Sequence, residues 1–203
     1  MGIPILLTGR SGTGKSTSLR NFGEEEVLLI NVLNKPLPFK AKFKYVLNTD
    51  SHEKIKAALS KMPTKTAIID DARYLITNAF MKNHTTNAGY NLYNTIADQF
   101  WSLIEFIKTL PEDVTVYFIM HEDKNEMGDI KPKTLGKLLD EKVCIEGMFT
   151  IALRCVISNG KHLFKTNSDS YDVCKSPLGM FSEMEIDNDL KMVDKTIREY
   201  YEI

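Results

Sequence analysis

The sequence predicts an α/β fold in which helices flank a mostly parallel sheet, with an antiparallel β-hairpin added near the C-terminus. Strand-sized apolar runs alternate with segments of helical periodicity, which is the pattern of a parallel sheet with crossover helices. Asn159-Gly160 separates two strand-like runs, and both residues tolerate the positive φ that a tight hairpin requires. The 203 residues, 43% of them hydrophobic and 26% charged, are enough for one folded domain spanning residues 1–203.

The predicted strands are short apolar runs bounded by turn-forming or charged residues. Continuous apolar character indicates strands that are buried on both faces, whereas the alternation in "FKYVLNT" indicates a more exposed strand. In chain order these runs are "IPILLTG" (Ile3–Gly9), "EVLLINV" (26–32), "FKYVLNT" (43–49), "TAIIDDA" (66–72), "VTVYFIMHE" (114–122) and the two runs that flank the Asn-Gly turn.

Other segments carry the signals of helices. Ser51 is a suitable N-cap for the first long one, and Pro111 ends the second because proline cannot continue a helix. Asp187 or Asn188 is the expected cap of the terminal helix, and residues 15–22 are expected to form the first turns of a further helix. The long helical segments are 51–62, 90–110 and 187–201.

Composition and charge exclude several classes of protein. The net charge of −1 gives no indication of nucleic-acid binding, which would have to depend on a local patch or on assembly. Cys144, Cys155 and Cys174 form no CxxC pair, so reduced thiols are expected rather than a disulfide framework or a zinc site. No apolar stretch has the length of a membrane span and no signal peptide is evident, so the sequence predicts a cytoplasmic protein.

The segment "GRSGTGKST" (9–17) follows the first predicted strand and matches the phosphate-binding pattern GxxxxGK[ST] in full. Its glycines permit a close backbone approach, so that loop N–H groups can converge on a phosphate at a helix N-terminus. Lys15 is expected to bridge β- and γ-phosphate oxygens of ATP, Ser16 to bind Mg²⁺, and Thr17 to reach the α-phosphate. The predicted nucleotide-binding residues are Gly9, Arg10, Ser11, Gly12, Thr13, Gly14, Lys15, Ser16 and Thr17.

Two adjacent carboxylates end the apolar run "AIIDD" (67–71), which has the form of a Walker B strand. Asp70 is predicted to hold Mg²⁺ together with Ser16, because both supply oxygen ligands. Asp71 has two interpretations: it orients or deprotonates the attacking water, or it caps the helix that follows.

His121 comes at the end of the strand "VYFIMHE". An adjacent parallel strand would place this side chain near the γ-phosphate, where it could sense whether that phosphate is present. The alternative is a histidine that is bonded to local backbone at a strand terminus.

Three classes of P-loop protein differ in features that a sequence can reveal. A small-molecule kinase usually brings several arginines into a lid, and the segment after His121 carries only lysines, which weakens that alternative without removing it. A GTPase needs an NKxD motif on a late strand. Asn34-Lys35 follows the second strand instead and lacks the aspartate, so the sequence argues against a GTPase. A RecA-like ATPase fits the strand-end acids and the C-terminal hairpin best. A nucleotide-gated interaction module without turnover is a further alternative, after the kinase.

The order of the motifs "GRSGTGKST", "AIIDDARYL", "FIMHE", "GDIKPKTLGKLLDEKV", "EGMFTIALRCVI" and "CKSPLGMF" resembles that of compact ATPases encoded in bacteriophage genomes. That family is of AAA type and related to RecA, and some members are single-strand annealing recombinases. The similarity extends from Ile3 to the terminal helix, and "KPKTLGKLLDEK" and "KSPLGMF" are its most particular pieces. The resemblance implies a Mg²⁺-dependent ATPase that acts in DNA recombination, annealing, replication or repair, in the cytoplasm of the bacterial host.

The resemblance also implies partners. Lys175 is similar to the lysine that some RecA-like filament ATPases insert into a neighbour's nucleotide site, which implies a homo-oligomer, either a filament or a ring. Without the resemblance, Lys175 is interpreted as a solvated loop lysine. Residues 123–137, a loop or small hairpin, are the candidate contact for single-stranded DNA, although nearby acids partly cancel the lysine charge. The lysines of this segment are Lys124, Lys131, Lys133 and Lys137.

Overall fold

The computed structural model describes residues 1–86, 89–135, 138–169 and 171–203, with the backbone alone at 140–142. The strands are β1 (Ile3–Gly9), β2 (Val27–Asn31), β3 (Tyr45–Asn48), β4 (Thr66–Asp70), β5 (Thr115–Lys124), β6 (Ile130–Pro132), β7 (Ile151–Ser158), β8 (Lys161–Lys165) and β9 (Glu185–Asp187). The α-helices are α1 (His52–Leu59), α2 (Arg73–Asn83), α3 (Tyr90–Lys108) and α4 (Leu190–Tyr201). Short 3₁₀ helices cover Ser16–Asn21 and Ile145–Met148, and a π-helix covers Leu138–Val143.

Within the described residues the strands form one sheet in the order β3-β2-β4-β5-β1-β7-β8-β9, with β6 added to the end of β5. The six strands from β3 to β7 in this order are parallel, while β6, β8 and β9 pair antiparallel. The prediction of a mostly parallel α/β sheet with a C-terminal antiparallel extension is confirmed. None of the helices within the described residues is long and apolar enough to cross a bilayer.

Alternating strand residues build two apolar cores, one on each face of the sheet. Leu6 and Ile69 face the core that is covered by α1, α2 and α3, whereas Leu7 and Ile68 face the core covered by the first 3₁₀ helix and α4. Burial on both faces is why the parallel strands are continuous apolar runs in the sequence. Because all the parallel strands point the same way, their polar carboxyl ends meet at one edge.

The predicted hairpin joins β7 to β8 through Asn159 and Gly160, whose φ values are +51° and +77°. Ser51 also caps α1 as predicted, since its side chain accepts a hydrogen bond from Lys54 N. The segment after His121 forms the small hairpin of β5 and β6 rather than an open loop.

The helix expected after the P-loop is present as a 3₁₀ helix at Ser16–Asn21, in which the Ser18 hydroxyl donates a 2.6 Å bond to Lys15 O, a carbonyl that a regular α-turn would use. One local prediction is wrong. The cap of α4 is Asp189 rather than Asp187 or Asn188, because Asp187 pairs in β9 and Asp189 accepts bonds from Lys191 N and Met192 N.

Candidate nucleotide-binding site

The P-loop follows β1 and curves over the carboxyl edge of the sheet. Gly12 and Gly14 have φ values of +83° and +96°, a region that other residues rarely adopt. A Cβ at Gly9 would lie 2.6 Å from Thr13 Oγ1 and 2.9 Å from Cys155 Cβ, so β7 approaches too closely for any larger residue. The motif glycines are therefore required by the backbone path and by the neighbouring strand.

Lys15 lies inside the loop and is only 6% exposed. Its Nζ donates to the carbonyl oxygens of Gly9 and Arg10 at 2.9 and 2.8 Å. Burial lowers the pKa of this amine, although the surrounding carboxylates oppose that effect. Neutral carbonyls compensate a buried ammonium poorly, so phosphate oxygens would be better partners for it.

The other predicted loop residues differ in exposure. Arg10 and Ser11 are exposed, Thr17 is half-buried, and the buried Thr13 hydroxyl donates to Arg10 O at 2.8 Å. The backbone N–H of Thr13 also donates to Arg10 O, at 3.3 Å, so hydrogen bonds within the loop stabilise its shape.

Ser16, just after the P-loop, contacts Asp70 at the end of β4, although β5 lies between β1 and β4 in the sheet. The Ser16 hydroxyl donates to Asp70 Oδ1 at 2.9 Å, and Asp70 is 3% exposed. Burial, together with the adjacent Asp71 charge, raises the pKa of Asp70, so a nearby cation would stabilise its ionised form.

A hydroxyl and a carboxylate placed together are hard oxygen donors, and they fit Mg²⁺. Within the described residues no group of three or more His, Cys, Asp or Glu side chains could hold a metal ion on its own. Mg²⁺ usually binds one or two protein ligands and completes its shell with water and phosphate.

Asp71 follows β4 in a left-handed conformation with φ of +60°, and it is 3% exposed. Its carboxylate contacts Lys35 Nζ through Oδ2 and His121 Nε2 through Oδ1, the latter at 3.3 Å. Burial opposes ionisation, but these two contacts outweigh it and lower the pKa of Asp71. The capping alternative is wrong, because the N-cap of α2 is Ala72 and no side chain caps that helix.

His121 lies where β5 passes between β1 and β4. The register of β1 and β5 sets it opposite Gly9, so it stands between the P-loop and the two carboxylates. Its ring also packs edge-on against Tyr74, with centroids 6.3 Å apart. The side chain thus contacts the carboxylate of Asp71 rather than only local backbone.

Sequence reasoning missed Lys35. This residue belongs to the segment that was dismissed as an incomplete guanine motif, yet it contacts Asp71 because β2 pairs with β4. The usable signal was a lysine just beyond the end of a strand whose neighbour carries the two carboxylates.

A second missed group supports the P-loop from behind. The Nδ1 of His162, on β8, lies within hydrogen-bond distance of Thr13 O, at 2.9 Å. A Cβ on Gly14 would lie 3.0 Å from the same nitrogen. Arg20 donates to Asn188 O at 2.6 Å, which connects the first 3₁₀ helix to the segment before α4. The C-terminal part of the chain therefore contacts the cradle directly.

Lys175 does not contact the described residues of this site. Its backbone N donates to Ala152 O at 2.9 Å, and its O accepts from Ala152 N at 2.8 Å. Ala152 lies on β7, three residues before Cys155, which pairs with Gly9. Lys124 and Lys131 are exposed on the β5–β6 hairpin, whereas Lys133 forms a 2.9 Å ion pair with Asp123. Lys137 lies outside the described residues.

Comparison with known families agrees with this geometry. The family model described as AAA domain matches residues 1–178, which include the P-loop, both carboxylates and His121. Comparison with curated proteins finds no match. Since the matched region covers most of the chain, the protein belongs to the AAA domain family of nucleotide-binding P-loop ATPases.

Proposed function

We propose that the protein is a Mg²⁺-dependent ATPase that acts on DNA in phage recombination, single-strand annealing, replication or repair. The observation that carries the ATPase part is the meeting of Ser16 with Asp70 and of Asp71 with His121 beside the P-loop. The DNA part is supported by the resemblance of the motifs to phage ATPases and by the hairpin that begins at His121.

In this proposal ATP binds with its β-phosphate in the loop, and Lys15 exchanges the carbonyls of Gly9 and Arg10 for phosphate oxygens. Ser16 and Asp70 would hold Mg²⁺, which neutralises phosphate charge when bound. Asp71 accepts a proton from water as the water oxygen bonds to the γ-phosphorus and the bond to the β,γ-bridging oxygen breaks. ADP and inorganic phosphate are the products.

The β5–β6 hairpin offers a physical route from nucleotide to DNA. His121 contacts Asp71, and the next residue, Glu122, accepts two bonds from Arg154 at 2.8 and 2.9 Å, which fix the base of the hairpin to β7. If Asp71 changed its partners, the change would be transmitted to the hairpin through a single residue, His121. Lys124 and Lys131 are then the residues best placed to contact DNA phosphates, since both are exposed.

Assembly is the remaining part of the proposal. The resemblance to RecA-like filament ATPases implies that Lys175, whose backbone pairs with Ala152, acts on the nucleotide of a neighbouring subunit in a homo-oligomer. A lysine that arrives in trans would make hydrolysis depend on protein concentration.

The test is ATPase activity measured against protein concentration, with and without single-stranded DNA. Lys15→Ala should abolish turnover, and Lys124→Ala/Lys131→Ala should lower DNA binding and its salt dependence while basal turnover stays unchanged. Lys61→Ala/Lys195→Ala removes two exposed lysines elsewhere and serves as the matched control. Unchanged DNA stimulation in the hairpin variant would refute the DNA contact, and phosphate transfer to a metabolite would refute the ATPase assignment in favour of a kinase.

A nucleotide-gated module without turnover is the second candidate. The observation that favours it is the double engagement of Asp71, whose two carboxylate oxygens already contact Lys35 and His121. Tight ATP binding without hydrolysis under every condition above would support this candidate.

A further inference from the structure

Lys35 is delivered to the site by a turn that the end of β2 builds. The Asn31 side chain donates to Lys35 O at 2.8 Å and accepts from Lys35 N at 3.3 Å. Asn34 takes a left-handed φ of +52° just before it. Two asparagines therefore fix the backbone from which the lysine reaches Asp71.

The pair of Lys35 and Asp71 is asymmetric. The Asp71 side chain is 4% exposed, whereas the Lys35 side chain is 47% exposed. Burial acts against the charge on Lys35, but its bond to Asp71 outweighs burial and raises its pKa. The lysine remains a cation and approaches the buried carboxylate from the solvent side, where it can move without disturbing the core.

Most arginines of the chain are already used elsewhere. Arg20 bonds to Asn188, Arg154 to Glu122 and Arg198 to Asp194. Of the remaining two, Arg10 is exposed, and the guanidinium of Arg73 lies 5.5 Å from the ring centroid of Tyr74. Among the described residues, Lys15 contacts the P-loop carbonyls and Lys35 contacts the strand-end carboxylate of Asp71.

We propose that Lys35 is a second phosphate-binding residue supplied by the same chain. When ATP binds, Lys35 Nζ leaves Asp71 for a γ-phosphate oxygen, so one anion replaces another and the lysine stays paired. The same movement frees Asp71 to accept the proton of the attacking water. This inference rests on the proposed ATPase function and adds to it the residue that couples γ-phosphate binding to release of the base.

The inference predicts a preference that can be measured without turnover. ADP lacks the γ-phosphate, so loss of Lys35 should weaken ATP binding and leave ADP binding nearly unchanged. A lysine that only stabilises the fold would change both affinities equally. A lysine that only blocks Asp71 would, when removed, tighten ATP binding or raise the turnover rate.

The experiment is calorimetric titration of the full chain with ATPγS and with ADP, each with Mg²⁺, for the wild type, Lys35→Ala and Lys35→Arg. Lys44→Ala, which removes an exposed ion pair with Glu25, is the matched control. Lys35→Ala should weaken ATPγS binding about tenfold or more and ADP binding by less than about twofold. Lys35→Arg should recover part of the ATPγS affinity, and Lys44→Ala should match the wild type.

Equal weakening of both nucleotides, or no weakening of ATPγS, would overturn the inference and leave the ATPase proposal intact. A rise in the ATPase rate constant of Lys35→Ala would also overturn it. Failure of the wild type to bind either nucleotide would instead overturn the proposed function, and the role of Lys35 with it.

Discussion

Replacing Asp194 with alanine should destabilise the fold, because four donors converge on this one buried carboxylate of α4. Its Oδ1 accepts from Thr115 Oγ1 at 2.8 Å and from Tyr117 OH at 2.9 Å. Its Oδ2 accepts from Arg198 Nε at 2.8 Å and from Thr66 Oγ1 at 3.0 Å. The carboxylate thus attaches the C-terminal helix to the beginnings of β4 and β5.

The magnitude follows from what alanine would leave behind. The Arg198 guanidinium would lose its buried counter-charge and the Tyr117 hydroxyl its acceptor, and breaking a buried ion pair from one side costs about 3–5 kcal/mol. For a chain of this length each kcal/mol lowers the melting temperature by about 2–4 °C, so a fall of roughly 6–20 °C is expected. Urea unfolding followed by circular dichroism measures the free energy, and thermal melts give the temperature.

A matched control is the next residue of the same helix. Lys195→Ala removes an exposed pair with Glu199, whose atoms are 3.6 Å apart, and should cost less than about 0.5 kcal/mol. If Asp194→Ala lost no more stability than this control, the reasoning from convergent buried donors would be refuted. An intermediate cost for Asp194→Asn would support it, since the amide keeps the shape but not the charge.

The remaining predictions concern the nucleotide site. Gly9→Ala should abolish ATP binding while the chain stays folded, because the new Cβ would lie 2.6 Å from Thr13 Oγ1; an affinity near that of the wild type would contradict this. His162→Ala should raise KM for ATP about two- to tenfold with little change in kcat, since it removes one bond to Thr13 O, and a selective loss of kcat would argue against a positioning role. His121→Ala should raise the pKa of Asp71, so the acid limb of the kcat profile should move to higher pH; an unmoved limb would show that Asp71 is not the titrating base.

The local parts of this fold could be predicted from the sequence because local patterns determine them. The bounds of β1 match the apolar run before the P-loop, and the Asn159-Gly160 turn follows from the positive φ that both residues accept. A helix after Lys15 is predicted from the sequence, but its 3₁₀ type is not. Periodicity does not reveal that the Ser18 hydroxyl donates to Lys15 O, a carbonyl that a regular α-turn would use.

The candidate site was predicted where its residues lie in recognisable motifs or end an apolar strand, and missed where only strand order brings residues together. The sequence predicts that Ser16 and Asp70 lie together, because both are expected to hold the Mg²⁺ of a P-loop ATPase. Lys35 and His162 reach the site only because β2 pairs with β4 and because β8 continues the sheet beside β7. Those pairings depend on long-range packing, and no local pattern in the chain encodes them.

The charged side chains of the site have polar partners within the protein. Lys15 bonds to loop carbonyls, Asp70 accepts from Ser16, and Asp71 contacts Lys35 and His121. In the proposed mechanism, nucleotide binding exchanges partners at the carboxyl edge of the sheet. Asp71, which would lose Lys35 in that exchange, also contacts His121 at the root of the β5–β6 hairpin, so the exchange would alter contacts at the surface where we propose that DNA binds.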